Sequence, residues 1–281
     1  MSENEKPSRQ YSVSQLKQYE ACPLRYRFHY HERIRTEIQQ VESFVGCRVH
    51  DTMEYLYHRL HEGELPPVSD VLQYYRRQWE LLWGNQVEIQ NPERSREWYR
   101  RFGEKNIRRY YTYYYPFDDI KGVQDLQTEW YFTITIGDEK EYRLHGQVDR
   151  LMSYGEGRYS VHDYKTSMYV PPVHKLQMDL QPGFYQLAVL HTFEDVQELS
   201  VHWHYLAAGR ELRPTLNEEQ VEKFKSYVMR KIDEVENRTE FHPHPSPACR
   251  WCEYQKICPA FHQNPPSVEE VEGLHYQKPR D

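Results

Sequence analysis

The sequence predicts an α/β fold in which a mixed central sheet is flanked by helices. Three observations predict it. Apolar residues at helical spacing recur through the first 115 positions, as in Val49, Met53, Leu56 and Leu60. Three runs rich in Val, Tyr and Leu follow at 124–136, 141–153 and 158–167. A helical pattern over 174–193 then separates them from a fourth strand-like run.

Each element has its own signal. Ser14 is the expected N-cap of a first helix, whose apolar face starts at Leu16 and Tyr19 and which stops at Pro23. Residues 43–61, 68–84 and 94–115 read as three more helices, the last two separated by the polar stretch NQVEIQNPE. The three strands that follow are expected to form an antiparallel meander. Pro182-Gly183 predicts a fresh helix start inside 174–193. ELSVHWHYLA (198–207) is a strand returning to the sheet, and 217–237 is a charged amphipathic helix. HPHPSPACRWC reads as loop. Residues 1–10 and 263–281 are polar and are expected to be disordered tails.

Composition narrows the function classes. A net charge of −7 over 281 residues excludes an indiscriminately basic nucleic-acid binder. No apolar run is long enough to cross a membrane as a helix, and the opening MSENEKPSRQ lacks the apolar core of a signal peptide. A soluble cytoplasmic protein is the expectation. Five cysteines, an odd number, argue against a disulfide framework in a reducing compartment.

The chemistry is concentrated in HGQVDRLMSYGEGRYSVHDYKTS (145–167). Gly155-Glu156-Gly157 is a turn signal between two strands. A hairpin centred on Glu156 places Asp149 directly opposite Asp163, with Lys165 on the same face and Tyr164 on the other. Opposed side chains have Cβ atoms roughly 4.5–5.5 Å apart, where like charges repel. Either both acids sit at a solvated sheet end, paired with Arg150 or Lys165, or they share a divalent cation. Hard oxygen donors suit Mg²⁺ or Mn²⁺, and a neighbouring ammonium suits phosphodiester hydrolysis, so the second reading is favoured. On the opposite face of the strand, Val148 and Met152 are expected to be buried.

Other candidates are weaker alone. His50 lies mid-helix one turn after Gly46, which would allow a close backbone approach. Gln181 and Tyr185 are four apart and share a helical face. Between 94 and 115 there are seven Arg or Lys against two Glu, interleaved with aromatics. Arg100, Arg101, Arg108 and Arg109 are therefore candidate phosphate contacts, with rings to stack on unpaired bases. Cys249, Cys252 and Cys258 form C-x2-C-x5-C, and Cys22 is a remote fourth thiol. Four thiolates can hold zinc or an iron–sulfur cluster. The spacing fits a zinc ribbon poorly and leans towards iron–sulfur. Cys47, one turn from His50, belongs to no ligand spacing and is expected to be a small buried filler.

GQVDR, HDYKTS and QPGFY resemble, in order and spacing, the motifs of PD-(D/E)xK nucleases of the RecB type, and SVSQLKQYEACPLRYRF is similar to their opening. The cysteines resemble the iron–sulfur clamp of the AddB nuclease domain, shared by CRISPR-adaptation nucleases. The likeness covers the chain from about Tyr11 to Phe261. It implies a restriction-endonuclease-like core and a single domain over 11–262. Within it lie a helical insertion at about 64–118 and a cluster segment at about 243–262 that, with Cys22, joins the two ends.

The resemblance further implies that His50, Asp149, Asp163 and the carbonyl of Tyr164 ligate Mg²⁺ or Mn²⁺. Lys165 would be the catalytic lysine, Gln181 and Tyr185 the downstream Q-x3-Y pair, and the four cysteines the ligands of a 4Fe–4S cluster. Pro182-Gly183 departs from the regular helix commoner in the family. The implied activity is metal-dependent hydrolysis of DNA, as an exonuclease on single-stranded ends in repair or recombination. The alternatives are a CRISPR-adaptation nuclease trimming spacer precursors and a weakly catalytic DNA-binding subunit beside a helicase.

Overall fold

A computed structural model describes residues 9–277. In chain order the elements are β1 (Gln10–Tyr11), α1 (Val13–Ala21), α2 (Pro23–Tyr26), β2 (Ile34–Thr36), β3 (Gln39–Gln40), α3 (Val41–His61), α4 (Val68–Leu82), β4 (Val87–Glu88), α5 (Arg96–Tyr114) and β5 (Asp125–Ile136). They continue as β6 (Tyr142–Ser153), β7 (Arg158–Lys165), α6 (Val173–Gln177), α7 (Leu180–Thr192), β8 (Glu198–Tyr205), β9 (Arg210–Leu212), α8 (Glu218–Asn237) and β10 (Leu274–Tyr276). The α/β class with a mixed sheet holds. The main sheet runs β1-β6-β7-β8-β9, with β5 also pairing β6. β6 and β7 are antiparallel, while β7 and β8 are parallel.

The chain divides into two compact units. One is formed by Gln39–Thr135 and His145–Lys225, the other by Met1–Ile38, Ile136–Leu144 and Ser226–Asp281. In the first, α3, α4 and α5 pack through Phe44, Met53, Tyr75, Trp79 and Ile107, all almost wholly buried. The stripe expected of α3 is buried as a whole, because Val49, Met53, Leu56 and Leu60 recur on one face. One face of the sheet meets α5, where the Tyr110 ring stands edge-on to Tyr164 and His204. The other meets α7, where Tyr185 lies against Trp203. Val148 and Met152 are buried, as the alternation required.

Several boundaries differ from expectation. The N-cap of α1 is Ser12 rather than Ser14: its hydroxyl accepts from the Gln15 amide, and the Gln15 side chain accepts from the Ser12 amide. The interruption of 174–193 falls at Met178–Asp179, because the Asp179 carboxylate caps the Gln181 amide at 2.8 Å. Pro182 then sits in the first turn of α7, where its missing N–H leaves no bond unmade. Part of HPHPSPACRWC is a 3-10 turn over Pro247–Trp251.

The expected tails are partly structured in the second unit. Residues 1–8 and 278–281 lie outside the described residues. Gln10 and Tyr11 form β1, parallel to Arg143 and Leu144. Residues 263–277 are not a free tail: β10 pairs antiparallel with β2. The cause is apolar. Val268 and Val271 join Ile34, Tyr254 and Ile257 in a small buried cluster, and burying a Val side chain contributes on the order of 1.5–3 kcal/mol.

Gly183 is the one glycine on which α7 depends for packing. A Cβ there would meet the Phe224 ring at 2.5 Å. Overpacking of this kind costs about 1–3 kcal/mol, so Gly183→Ala should lower stability by that amount in urea unfolding, whereas Gly122→Ala, with open space around it, should act only through its positive φ of 79°.

Candidate active site

The hairpin register sets the site. Gly155, Glu156 and Gly157 all adopt left-handed backbone, with φ of 76°, 53° and 70°, which two glycines make inexpensive. Arg150 pairs His162, Leu151 pairs Val161 and Ser153 pairs Tyr159. Extending that ladder by one residue sets Asp149 opposite Asp163. Arg150 points to the other face and does not pair with Asp149. Its guanidinium lies 3.5 Å from the centre of the Tyr57 ring and 3.6 Å from Asp119 Oδ2.

The expected residues gather into two adjoining groups. In the first, α3 brings His50 Nδ1 to 3.3 Å from Asp149 Oδ1, and His50 Nε2 to 2.7 Å from the Tyr164 carbonyl oxygen. Asp149 Oδ2 also accepts from the Tyr164 amide at 2.7 Å. In the second, Lys165 Nζ lies 2.6 Å from Asp163 Oδ2 and donates to Gln181 Oε1 at 3.0 Å. Gln181 Nε2 donates to Asp163 Oδ1 at 2.9 Å, and the Tyr185 hydroxyl donates to the same oxygen at 3.2 Å. Gln181 can make these bonds because it opens α7, where the capped turn aims it back at the sheet. Gly46 was expected to permit a close approach. An added Cβ would sit 3.8 Å from Thr166 Oγ1, an ordinary contact, so glycine is not required there.

Electrostatics explain why these acids can stand together. Burial by itself pushes His50 down, but the Asp149 carboxylate reverses this and raises it to about 9. Burial raises Asp163, which is 1% exposed, and Asp149 adds to the rise, while Lys165 opposes it. Lys165 is pulled down by burial and pushed up further by Asp163, so the net shift is upward and the ammonium is retained.

One residue had escaped the sequence. Glu129 on β5 joins His50 and Asp149, with a ligand atom from each within 4.8 Å of the others. Among the described residues this is the only such group of His, Cys, Asp or Glu. Burial, then repulsion by Asp149, raises Glu129 to about 7. Its backbone is left-handed at φ 49°, a conformation that costs a non-glycine residue about 1–3 kcal/mol. The only available signal was an acid between apolar strand residues in TEWYF. One imidazole, two or three carboxylates and a carbonyl are the hard, mostly oxygen donors that suit Mg²⁺ or Mn²⁺.

The remaining expected residues lie elsewhere. Arg100 pairs with Glu97 and Glu104, and Arg101 with Glu97. Arg109 donates to the carbonyls of Leu206 and Ala207. Arg108 is exposed. Cys47 is exposed rather than a buried filler, because its position faces away from the apolar stripe of α3; the Gln39 side chain is 3.9 Å from its sulfur. Cys22, Cys249, Cys252 and Cys258 line one pocket in the other unit.

A profile of the PD-(D/E)XK nuclease superfamily matches residues 10–259. No curated protein matches. Among solved structures, the crystal structure of SSO0001 is 15% identical over 92% of this chain and 89% of its own, with a TM-score of 0.37. A candidate exonuclease of Eubacterium rectale is 14% identical over 93% of this chain and 92% of its own, with a TM-score of 0.47. No helix among the described residues is long and apolar enough to cross a membrane.

The Glu129 geometry has a direct consequence. Calorimetric titration with Mn²⁺ should show Glu129→Gln binding at least about tenfold more weakly than the parent, while Cys47→Ser, outside the site, should bind equally well.

Proposed function

The chain belongs to the PD-(D/E)XK nuclease superfamily, and from that premise we propose that it is a metal-dependent deoxyribonuclease acting on single-stranded DNA ends. The observation that carries this is the Lys165 ammonium, held between Asp163 and Gln181 on the sheet face that also bears Asp149. His50, Glu129, Asp149, Asp163 and the Tyr164 carbonyl would hold Mg²⁺ or Mn²⁺. When bound, the cation supplies Lewis-acid activation of water and neutralises phosphate charge.

The protein's own groups do the rest. Hydrolysis forms a bond from a water oxygen to phosphorus and breaks the ester bond to the leaving sugar oxygen, which takes up a proton. Lys165 would donate a hydrogen bond to phosphoryl oxygen as charge develops there. Gln181 and Tyr185 fix the Asp163 carboxylate through its Oδ1, leaving Oδ2 to Lys165. That division of one carboxylate between helix and lysine preorganises both groups. Complete Asp149, Asp163 and Lys165 speak for catalysis over a purely binding role beside a helicase.

We extend the proposal to a 4Fe–4S cluster on Cys22, Cys249, Cys252 and Cys258. All four line one pocket. The Cys22 and Cys249 sulfurs already accept from the amides of His244 and Ser246 at 3.4 and 3.2 Å, the kind of bond that steadies a thiolate. Sulfurs around a single zinc ion lie about 3.8 Å apart, given Zn–S bonds of about 2.3 Å. No three cysteines are gathered that tightly among the described residues; the choice of a cluster over zinc rests on the C-x2-C-x5-C spacing with its remote fourth thiol and on the family resemblance.

Two measurements test these assignments. End-labelled single-stranded DNA should be degraded from its ends in Mn²⁺ and left intact in chelator. Asp163→Asn should lose cleavage by a factor of about 10³ or more while still binding DNA and unfolding cooperatively; cleavage at the parent rate would remove Asp163 from the site. Anaerobically purified protein should contain iron, and Cys22→Ser should lose it and melt at a lower temperature. Stoichiometric zinc in place of iron would overturn the cluster.

A further inference from the structure

A cavity of about 580 Å³ opens beside the candidate active site. Thr166 and Ser167, directly after Lys165, form one wall, and α5 forms another. Glu42 and Val45 of α3 also line it. They precede His50 on the same helix by five to eight residues, or about 8–12 Å of rise. The volume falls within the range of roughly 300–1,000 Å³ typical of small-molecule sites, enough for one nucleotide.

The α5 wall carries a stripe of unusual composition. Arg94, just before α5, and Trp98, Phe102 and Lys105 on it recur at helical spacing and line the cavity together with the buried Tyr99 and Asn106, while Gly103 and Ile107 turn into the core. Trp98 and Phe102 are stacked nearly parallel, with centroids 5.4 Å apart and an interplanar angle of 7°. The Arg94 guanidinium lies 4.1 Å from the Trp98 ring centre. Trp98 is 39% exposed and lines the cavity, so part of the stack is accessible from it. Trp98, Phe102 and Lys105 also border a second groove, so they form a ridge between two hollows.

Two further observations point to an occupant. Asn106 lines the cavity and is 1% exposed, yet its Nδ2 has no hydrogen-bond partner among the described residues. A buried amide donor left unpaired is destabilising, so an acceptor is expected above it. Lys105 is exposed and has no carboxylate partner among the described residues, unlike Arg100 and Arg101. The cavity wall holds Arg94, Lys105 and Arg109 against Glu42, whose carboxylate accepts from Tyr99 at 2.6 Å. In a chain of net charge −7 this is a local basic site.

We propose that this cavity is a base-stacking subsite for single-stranded DNA next to the cleavage site. It would take one unpaired nucleobase against the stack of Arg94, Trp98 and Phe102. The Asn106 amide would donate to a carbonyl or ring-nitrogen acceptor on the base edge, and Lys105 would meet the adjoining phosphate. Aromatic and guanidinium planes accept any base face, so the subsite selects unpaired strands over duplex without reading sequence. It deepens the nuclease reading and rests on it.

The test is equilibrium binding by fluorescence anisotropy, in chelator so that nothing is cleaved. The probes are a single-stranded oligonucleotide and the same strand with abasic residues. The parent should prefer the base-bearing strand by about tenfold. Trp98→Ala should remove that preference and leave abasic binding unchanged. Lys105→Ala should weaken both strands alike and lower the salt slope by about one. Arg101→Ala should preserve the preference, and thermal unfolding should show every variant folded. A parent without preference for bases, or a Trp98→Ala protein that keeps it, overturns the subsite even if Mn²⁺-dependent cleavage is intact. A parent that neither binds nor cleaves either strand overturns the nuclease reading, and the subsite with it.

Discussion

The pairing of Arg150 with His162 is the constraint on which the rest of this site depends. Because strand side chains alternate, one register places Asp149, Asp163 and Lys165 on the face that meets α7. A slip of one residue would exchange that set for Arg150, His162 and Tyr164. The register is held at the turn by three successive left-handed residues. It is closed by the Tyr154 amide donating to the Arg158 carbonyl at 2.9 Å and the Arg158 amide donating to Gly155 at 3.1 Å. Beyond the hairpin, β7 pairs in parallel with β8 along its whole length, from Arg158 to Lys165, so the strand bearing Asp163 and Lys165 is central and both of its faces are covered.

Covering both faces makes the rear of the sheet costly, and the protein meets that cost with a polar network. His162 Nδ1 lies 2.9 Å from His204 Nε2, and His162 Nε2 lies 2.9 Å from Ser160 Oγ. His204 Nδ1 in turn lies 2.9 Å from the Tyr114 hydroxyl on α5. Burial pushes both histidines well below their ordinary value, with Arg150 adding to the effect, so they are neutral rings passing hydrogen bonds along a chain. Glu211 terminates it: bonds from His202, Tyr114 and Arg213 hold its carboxyl far below the usual range. A satisfied network of this kind specifies one alignment of β7, β8 and α5 more sharply than apolar packing would. The acids on the front face inherit that alignment.

The two candidate centres belong to different compact units. The carboxylates, His50 and Lys165 lie in the unit of Gln39–Thr135 and His145–Lys225, and the four cysteines in the other. The second unit has a modest apolar cluster around Ile34, Tyr254 and Val268, and its segments come from three separate stretches of chain. Such a unit gains most from a covalent tie, because ligands far apart in sequence close long loops. The first unit has a large aromatic core and can hold strain, as at Glu129, whose left-handed backbone turns an acid toward His50 and Asp149.

The sequence by itself determined the long helices and strands, the hairpin register, and hence the shared face of Asp149, Asp163 and Lys165, while the short β2, β3, β4, β9 and β10 carried no such signal. The long elements and the register follow from local periodicity and turn chemistry, which act between residues close in the chain. It also marked Gln181 and Tyr185 as neighbours on one helical face. What acts between distant residues was decided by tertiary structure. Glu129 enters the site because a strand 20 residues upstream of Asp149 adopts one left-handed residue, which no propensity scale signals. Arg100 and Arg101 are spent on Glu97 and Glu104, while Trp98, Phe102 and Lys105 face a cavity whose opposite wall follows Lys165. Residues 268–276 are ordered because β2, more than 230 residues earlier, offers an edge and Ile34 an apolar surface. Composition could report only that this tail is polar; whether its two valines find partners is a property of the folded chain.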